Sequence, residues 1–260
     1  TNDVVVTSLA EATTSEGVVL AGAAASGDIT VLAVTTDGGT ATLVTGAGAD
    51  KLTVADVNTT YAITTGEGID VVTVSGGDYT GVGNVIATGG GADIVNLDAT
   101  TGSFTVTTGS GDDTVYLNKA AVTGAFDLGE GTGDKVVLEE SGVYANLALK
   151  NIEELDITAG NATFAYADLA GNDSSFVLTG ANTLTVTATA TGGVADLSGI
   201  TINALAAANV QFNGGTGNDV VTGATQMVNV ITGNAGSNTL TGGEAADTIT
   251  GGTGADIING

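Results

Sequence analysis

The 260-residue sequence contains no histidine, no cysteine and no tryptophan, and each absence narrows what the chain can be. Without histidine, H-E-x-x-H zinc sites and Ser-His-Asp triads are excluded within this chain, and no G-x-S-x-G motif occurs. Without cysteine there is no disulfide framework, so a secreted chain needs other cross-links. Aromatic residues are only 4% of the sequence, which predicts a thin core of small side chains in closely spaced layers.

Positive charge is scarce as well. The chain has 29 acidic residues against four lysines and no arginine, which gives a net charge of -25. We expect no nucleic acid partner, because phosphate binding needs cationic side chains. We expect no membrane span either, since no apolar run is long enough. Self-repulsion of this size destabilises a compact state unless cations neutralise it, so bound metal is the first feature to look for.

Hydrophobic residues nevertheless make up 42% of the chain, mostly Val, Ile, Leu and Ala interleaved with Thr, which favours a folded core over disorder. A glycine-rich motif recurs five times and ends each time in an aspartate, at steps of 20, 23, 20 and 21 residues. The five copies are Thr45–Asp50, Thr65–Asp70, Thr88–Asp93, Thr108–Asp113 and the one-residue-longer Leu128–Asp134.

Aliphatic residues alternate after each of these aspartates, as in a β-strand with one buried face. The first aliphatics after the aspartates are Leu52, Val72, Val95, Val115 and Val136, and the second are Val54, Val74, Leu97, Leu117 and Leu138. A further apolar set precedes each motif: Leu43, Ile63, Ile86, Val106 and Phe126. Each unit thus predicts two short strands and two turns, which is one solenoid coil. The variable turns are predicted at Asp56–Thr60, Asp78–Gly83, Ala99–Ser103 and Lys119–Gly124.

Between Leu138 and Phe212 the pattern loosens. Strands are predicted at Ile152–Thr158, Phe176–Thr179, Leu184–Thr187 and Ile200–Asn203, with Ala204–Ala208 as a short helical or irregular insert. From Gly214 the repeat shortens to nine or ten residues, with Asp or Asn at positions 219, 229, 238, 247 and 256. Each half-coil then carries a glycine-aspartate turn, so both edges of the solenoid become candidate metal sites.

The ladder of aspartates predicts calcium. Stacked coils lie about 4.8 Å apart, where two bare carboxylates repel by roughly 3.5 kcal/mol at an effective dielectric of 20. A hard cation between turns reverses the sign, and oxygen-only ligands favour Ca²⁺ over zinc, copper or Mg²⁺. The candidate metal ligands are Gly46, Gly48, Asp50, Gly66, Gly68, Asp70, Gly89, Gly91, Asp93, Gly109, Gly111, Asp113, Gly131, Asp134, Gly215, Gly217, Asp219, Asn229, Gly233, Gly236, Asn238, Gly243, Asp247, Gly252, Gly254 and Asp256.

The segment Gly214 to Gly260 resembles the repeats-in-toxin (RTX) β-roll, with Asp219, Asp247 and Asp256 at its aspartate position and Val221, Ile249 and Ile258 at its inward aliphatic. Asn229 and Asn238 depart from the pattern, which implies weaker or partial sites. Residues 45–138 are similar to the longer-period variant of bacterial S-layer proteins and large secreted adhesins, as is the phrase Ile152-Glu-Glu-Leu-Asp-Ile-Thr158. The resemblance implies type I secretion in a Gram-negative bacterium and folding on external calcium at the cell surface.

We therefore predict an all-β fold, a right-handed parallel β-solenoid or β-roll with calcium-binding glycine-aspartate turns. Residues 1–138 form coils of about 20 residues with one calcium edge, 139–213 degenerate coils, and 214–260 the nonapeptide β-roll. The missing initiator Met and the end in mid-repeat lead us to expect a piece of a longer chain. The expected function is structural and not enzymatic: an extracellular, self-assembling S-layer lattice or surface filament on the bacterial cell surface.

The expected partners are copies of the same chain and, through Ca²⁺, cell-surface polysaccharide or lipopolysaccharide. Alternatives are an RTX adhesin or biofilm matrix protein, and the secretion domain of an RTX exoenzyme. Asp112-Asp113 and Glu139-Glu140-Ser141 are candidate carboxylate pairs for glycoside chemistry. The threonines Thr45, Thr65, Thr88 and Thr108 form either an ice- or glycan-binding ladder or, more simply, a packed and hydrogen-bonded one.

Overall fold

The computed structural model describes residues 3–6, 9–10, 19–25, 27–31, 34–35, 39–55, 59–75, 77–98, 101–118, 120–172, 175–188, 192–202 and 209–260. Strands dominate these residues, and their pairings are parallel from coil to coil. The predicted all-β parallel solenoid is confirmed. In the described part of the chain, no helix is long and apolar enough to cross a membrane. The chain divides into two compact units.

The first unit comprises residues 1–137 and 150–152. Its strands alternate between two sheets, and the aspartate motifs lead into the first of them. Sheet 1 contains Val4–Val6, Ile29–Val31, Lys51–Val54, Val71–Val74, Ile94–Leu97, Thr114–Leu117 and Lys135–Leu138. Sheet 2 contains Val19–Ala25, Thr40–Ala47, Thr60–Glu67, Asp78–Gly90, Thr101–Ser110 and Val122–Asp127. Leu9–Ala10 pairs separately with Val34–Thr35.

Equivalent residues of successive coils stand in register, so the core is a set of apolar columns. In sheet 1, Leu52 pairs with Val72, and Val72 with Val95. In sheet 2, Leu43 pairs with Ile63, which pairs with Ile86. The predicted inward aliphatics of both sheets are buried, as the alternation indicated.

One predicted turn is wrong. Asp78–Gly83 lies inside the strand Asp78–Gly90, which pairs with the next coil at Tyr79 and again from Asn84 after a register shift. Tyr79 explains the difference: its ring is fully buried, 5.9 Å from the ring of Tyr61 and 5.8 Å from that of Phe104. This aromatic packing holds the start of the 23-residue coil against the sheet, and the extra residues form a bulge. The other predicted variable turns fall partly on residues 56–58, 99–100 and 119, outside the described residues. Their last residues, Thr60, Thr101–Ser103 and Val122–Gly124, belong to the strands that follow, so these turns are shorter than predicted.

The second unit comprises residues 138–149 and 153–260. One set of strands contains Glu154–Asp156, Val177–Thr179 and Thr201–Ile202. Sheet 3 contains Gly142–Val143, Ala162–Ala165, Thr183–Thr187, Asn209–Asn213, Asn229–Thr232 and Thr248–Thr250. Sheet 4 contains Val194–Asp196, Val220–Thr222, Thr239–Thr241 and Ile257–Asn259. The strand Leu147–Lys150 lies at the division of the units along the chain, and Tyr166–Leu169 is a one-turn helix.

The strands predicted in the loosened middle region are present, with shorter or slightly shifted bounds. The predicted insert Ala204–Ala208 lies outside the described residues. In the nonapeptides Val221 is buried as predicted, but Ile258 is 49% exposed. Ile258 pairs with Leu240 on one side, and no described strand covers its other side.

Candidate metal centre

The five predicted aspartates of the first unit form one buried column beside sheet 1. Each is at most 1% exposed. The backbone N–H of each aspartate donates to Oδ1 of the aspartate in the next coil, and all four of these bonds are 2.8 Å long: Asp50 to Asp70, Asp70 to Asp93, Asp93 to Asp113 and Asp113 to Asp134. One carboxylate oxygen per coil therefore ties adjacent turns together.

The second carboxylate oxygen has a different environment. Oδ2 of Asp50, Asp70, Asp93 and Asp113 is buried and has no hydrogen-bond partner among the described residues. An anionic oxygen buried without compensation costs several kcal/mol, so such groups pair, protonate or coordinate a cation. The residues present thus fit a hard cation that prefers oxygen ligands.

The pKa values respond to this burial. Burial raises the pKa of Asp93 to about 6; the Thr88 hydroxyl and the Asp70 amide lower it, and the charges of Asp70 and Asp113 raise it further. Burial likewise raises the pKa of Asp70. The Thr88 hydroxyl also donates to the Thr108 carbonyl at 3.1 Å, and Oδ2 of Asp93 has no hydrogen-bond partner among the described residues. The column is electrostatically unfavourable when it is fully ionised and free of metal.

The predicted threonine ladder is internal. Thr45, Thr65 and Thr88 are fully buried, and each hydroxyl donates to the carbonyl of the equivalent threonine one coil on, at 3.0 to 3.1 Å. Thr108 is equally buried and donates to the Leu128 carbonyl at 2.7 Å. These side chains stabilise the stack and are not available to an ice or glycan surface.

The glycines bring backbone carbonyls to the same turn. Gly68 has φ of +134°, and a Cβ there would overlap the carbonyl oxygen of Gly48 in the previous coil. Gly91 has the same relation to Gly68, and Gly111 to Gly91. Only glycine allows both this backbone conformation and this close approach. Of the other predicted glycines of the first unit, Gly46, Gly66, Gly89 and Gly109 lie near the ends of sheet 2 strands, where they pair from coil to coil, and Gly131 lies outside a strand before Asp134.

The nonapeptides form two columns of Asp and Asn side chains, one beside sheet 4 and one beside sheet 3. In the first, Asp219 N donates to Asn238 Oδ1 and Asn238 N to Asp256 Oδ1, both at 2.9 Å. In the second, Asn229 N donates to Asp247 Oδ1 at 2.8 Å. The predicted glycines Gly215, Gly217, Gly233, Gly236, Gly243, Gly252 and Gly254 lie in the turns that precede these residues.

Oδ2 of the nonapeptide aspartates Asp219 and Asp247 accepts hydrogen bonds, unlike Oδ2 of Asp50, Asp70, Asp93 and Asp113. Asp247 Oδ2 accepts from Gly243 N at 2.6 Å, and the hydrogen bonds from Gly243 and Asn229 lower the pKa of Asp247 against the effect of its slight burial. Asp219 accepts from Gly193 N and Gly215 N, both at 3.2 Å. In the described residues no three acidic side chains converge. A cation here therefore needs backbone carbonyl ligands as well.

Sequence reasoning missed four glycines of the site. A Cβ at Gly214 would lie 2.7 Å from Asp219 Oδ2, and a Cβ at Gly242 or Gly251 would overlap Oδ2 of its own aspartate. Gly129, with φ of +92°, would overlap the Gly109 carbonyl. The doubled glycine that opens three of the nonapeptides was the available signal.

The loosened middle region uses asparagine where the aspartates are absent. Asn182 Nδ2 donates to the carbonyls of Ile157 at 2.8 Å and Thr158 at 3.0 Å, and Asn172 Nδ2 donates to the Leu149 carbonyl at 2.9 Å. Asn161 Oδ1 accepts from Thr183 N at 2.8 Å. Neutral side-chain amides thus link these coils.

The nonapeptide segment with these two columns and their glycine turns is similar to a known family of repeats. The family model of the RTX calcium-binding nonapeptide repeat (4 copies) matches residues 207–226 and 227–260. These residues are RTX repeats. Calcium is the cofactor of such repeats, which are typical of secreted bacterial proteins. No curated protein and no solved structure matches the chain. We call residues 207–260 the RTX segment.

Proposed function

We propose that the chain is a structural, self-assembling extracellular protein, of an S-layer lattice or a surface filament, whose fold depends on calcium. The observation that carries this proposal is the buried aspartate column of the first unit, with its uncompensated Oδ2 oxygens. A cation that binds only the folded column contributes its binding free energy to folding. The net charge of -25 acts in the same direction, because calcium also lowers the self-repulsion of the folded chain.

In the first unit we assign Asp50, Asp70, Asp93, Asp113 and Asp134 as carboxylate ligands, with carbonyl oxygens of the glycine turns. In the RTX segment we assign Asp219, Asp247 and Asp256. Calcium supplies positive charge and accepts six to eight oxygen ligands in flexible geometry. These residues bind and order the ion between coils, and the proposal gives the ion no catalytic role.

Two carboxylate pairs were candidates for glycoside chemistry, and their surroundings favour structural roles. Asp113 belongs to the column, and its neighbour Asp112 accepts from Thr132 N of the next coil at 3.0 Å. The Glu140 carbonyl accepts the Tyr144 hydroxyl at 2.7 Å, within a packed turn.

Exposed apolar residues on outer strands support self-association. Val5 is 64% exposed in a strand that pairs on one side with Ile29–Val31, and Ile257 is 60% exposed in a strand that pairs with Thr239–Thr241. Among the described residues no further strand pairs with either edge, and an unpaired strand edge with apolar side chains is a template for pairing with β-structure. A second copy of the chain fits such an edge, and Ca²⁺ between acidic surfaces fits polysaccharide or lipopolysaccharide as an anchor.

Calcium removal tests the folding half of the proposal. We expect EDTA to lower the urea and thermal midpoints of the β-fold, followed by far-UV circular dichroism, and Ca²⁺, but not equal Mg²⁺, to restore them. Unchanged midpoints after chelation would contradict calcium-dependent folding. Electron microscopy and light scattering in Ca²⁺ test the assembly half: we expect sheets or filaments, and monomers at all concentrations would exclude self-assembly.

A further inference from the structure

Asn229 replaces the aspartate of its nonapeptide, and its side chain is as buried as the aspartates, with 1% exposure. Its Nδ2 lies 2.9 Å from each of three oxygens: the carbonyls of Ala224 and Met227, and Oδ1 of Asp247 in the next coil. Its Oδ1 accepts from Ala224 N at 2.9 Å. Two carbonyl oxygens and one carboxylate oxygen thus converge on one nitrogen.

Such a set of oxygens is of the kind that binds calcium elsewhere. The Asn229 amide compensates these oxygens without an ion. Its two N–H hydrogens carry partial positive charge, and the neutral amide needs no counter-ion. With aspartate at this position, two carboxylates would meet in a buried turn, and like charges there are unfavourable without a cation. The side-chain amide therefore occupies the place of the ion.

Asn238 repeats the arrangement on the other edge. It is 1% exposed, and its Nδ2 donates to Asp256 Oδ1 at 3.1 Å and to the Gly251 carbonyl at 3.3 Å. Its Oδ1 accepts from Asp219 N at 2.9 Å. On each edge an amide thus lies between a carboxylate and a backbone carbonyl.

We propose that Asn229 and Asn238 are amide clasps: metal-free positions at which a side-chain amide joins two coils that calcium would otherwise join. The clasps set how many ions the RTX segment binds and leave it partly held together without calcium. This inference rests on the proposed calcium-dependent fold. It assigns these two positions to a structural role instead of to partial calcium sites.

The test substitutes Asn229→Asp in the full chain and measures bound calcium by equilibrium dialysis and folding by circular dichroism in EDTA. We expect the variant to bind at least one more ion per chain than the wild type and to require more calcium to fold. Asn218→Asp is the matched control: Asn218 is exposed in the same segment and its Oδ1 accepts Ser237 N at 2.8 Å, a bond that aspartate keeps. We expect the control to behave as the wild type.

The double variant Asn229→Asp/Asp247→Asn returns one amide and one carboxylate to the pair, and we expect it to restore the wild-type ion count. An Asn229→Asp variant with wild-type calcium uptake and calcium dependence would overturn the clasp, as would one that stays unfolded even in excess calcium. A wild-type chain that binds no calcium would instead overturn the proposed function, so the two failures are distinguishable.

Discussion

The backbone N–H of Asp70 donates to Oδ1 of Asp93 at 2.8 Å, while Oδ2 of Asp93 is buried with no hydrogen-bond partner among the described residues. One carboxylate thus does two things. Through Oδ1 it fixes the turn of the preceding coil, and through Oδ2 it creates a need for positive charge. The same division recurs at Asp50, Asp70 and Asp113, so the column couples the geometry of the stack to cation binding.

Replacing Asp93 with asparagine separates these two roles. The amide keeps an oxygen for the Asp70 N–H but carries no charge, so we expect Asp93→Asn to stabilise the metal-free protein by about 1–3 kcal/mol and to weaken calcium binding. Urea unfolding in EDTA and in Ca²⁺ measures both effects. Asp112→Asn is the control, because Asp112 is exposed and asparagine keeps its bond from Thr132 N. Equal effects of the two substitutions would contradict the role of the buried charge.

The pH dependence of stability should change sign with calcium. The pKa of Asp93 is about 6 in the folded state, above its ordinary value of 3.8, so the folded chain holds this proton more tightly than the unfolded chain. Its contribution to the stability of metal-free protein is therefore fully present below the unfolded pKa and is lost as the pH rises through about 6. With calcium bound, protons compete with the ion, and stability should rise over the same window.

Urea midpoints at pH 4.5 and 7.5, with EDTA or with calcium, measure this reversal. Asp127 and Asp247 have lowered pKa values, so they titrate below this pH window. The window avoids their protonation, which would destabilise the fold for a separate reason. Parallel pH profiles with and without calcium would show that the buried column does not bind the ion.

The spacing of the motifs was enough to predict the columns, because repeats of similar length along a solenoid place equivalent residues in register. Asp70 and Asp93 pair through their turns despite a step of 23 residues, since the extra residues near Tyr79 are absorbed as a bulge on the opposite sheet. The turn predicted there was wrong because alternation does not reveal that an aromatic ring will pack inward at the start of a coil.

The sequence could not show which oxygen of each aspartate is free. Which oxygen is free depends on how far successive turns are displaced along the solenoid axis. This displacement places Oδ1 of each aspartate next to the backbone N–H of the aspartate in the previous coil. The roles of Asn229 and Asn238 were similarly hidden. Departures from the repeat indicated weaker sites, while the contacts of their amides indicate a distinct way of joining coils.

The buried threonine hydroxyls should stabilise the stack independently of calcium. Thr88→Val keeps the shape but removes the donor to the Thr108 carbonyl, and we expect a loss of about 1 kcal/mol, both in EDTA and in calcium. Thermal unfolding in both conditions measures it. Thr107→Val, on the exposed face of the same sheet, is the control and should change stability by less than about 0.5 kcal/mol. A loss seen only with calcium would place the hydroxyl in the metal site instead.

The glycine turns should tolerate no side chain, and two glycines with similar backbone strain separate the reasons. Gly91 has φ of +134° and a Cβ there would overlap the Gly68 carbonyl, whereas Gly83 has φ of +93° and no described residue within 4 Å of a Cβ there. Alanine at Gly83 therefore adds only backbone strain, about 1–3 kcal/mol. Alanine at Gly91 adds that strain and also pushes adjacent coils apart, so we expect a larger loss of stability and a weaker response to calcium. Chemical unfolding and calcium titration of both variants measure the difference, and equal losses would show that close stacking of the turns is not required.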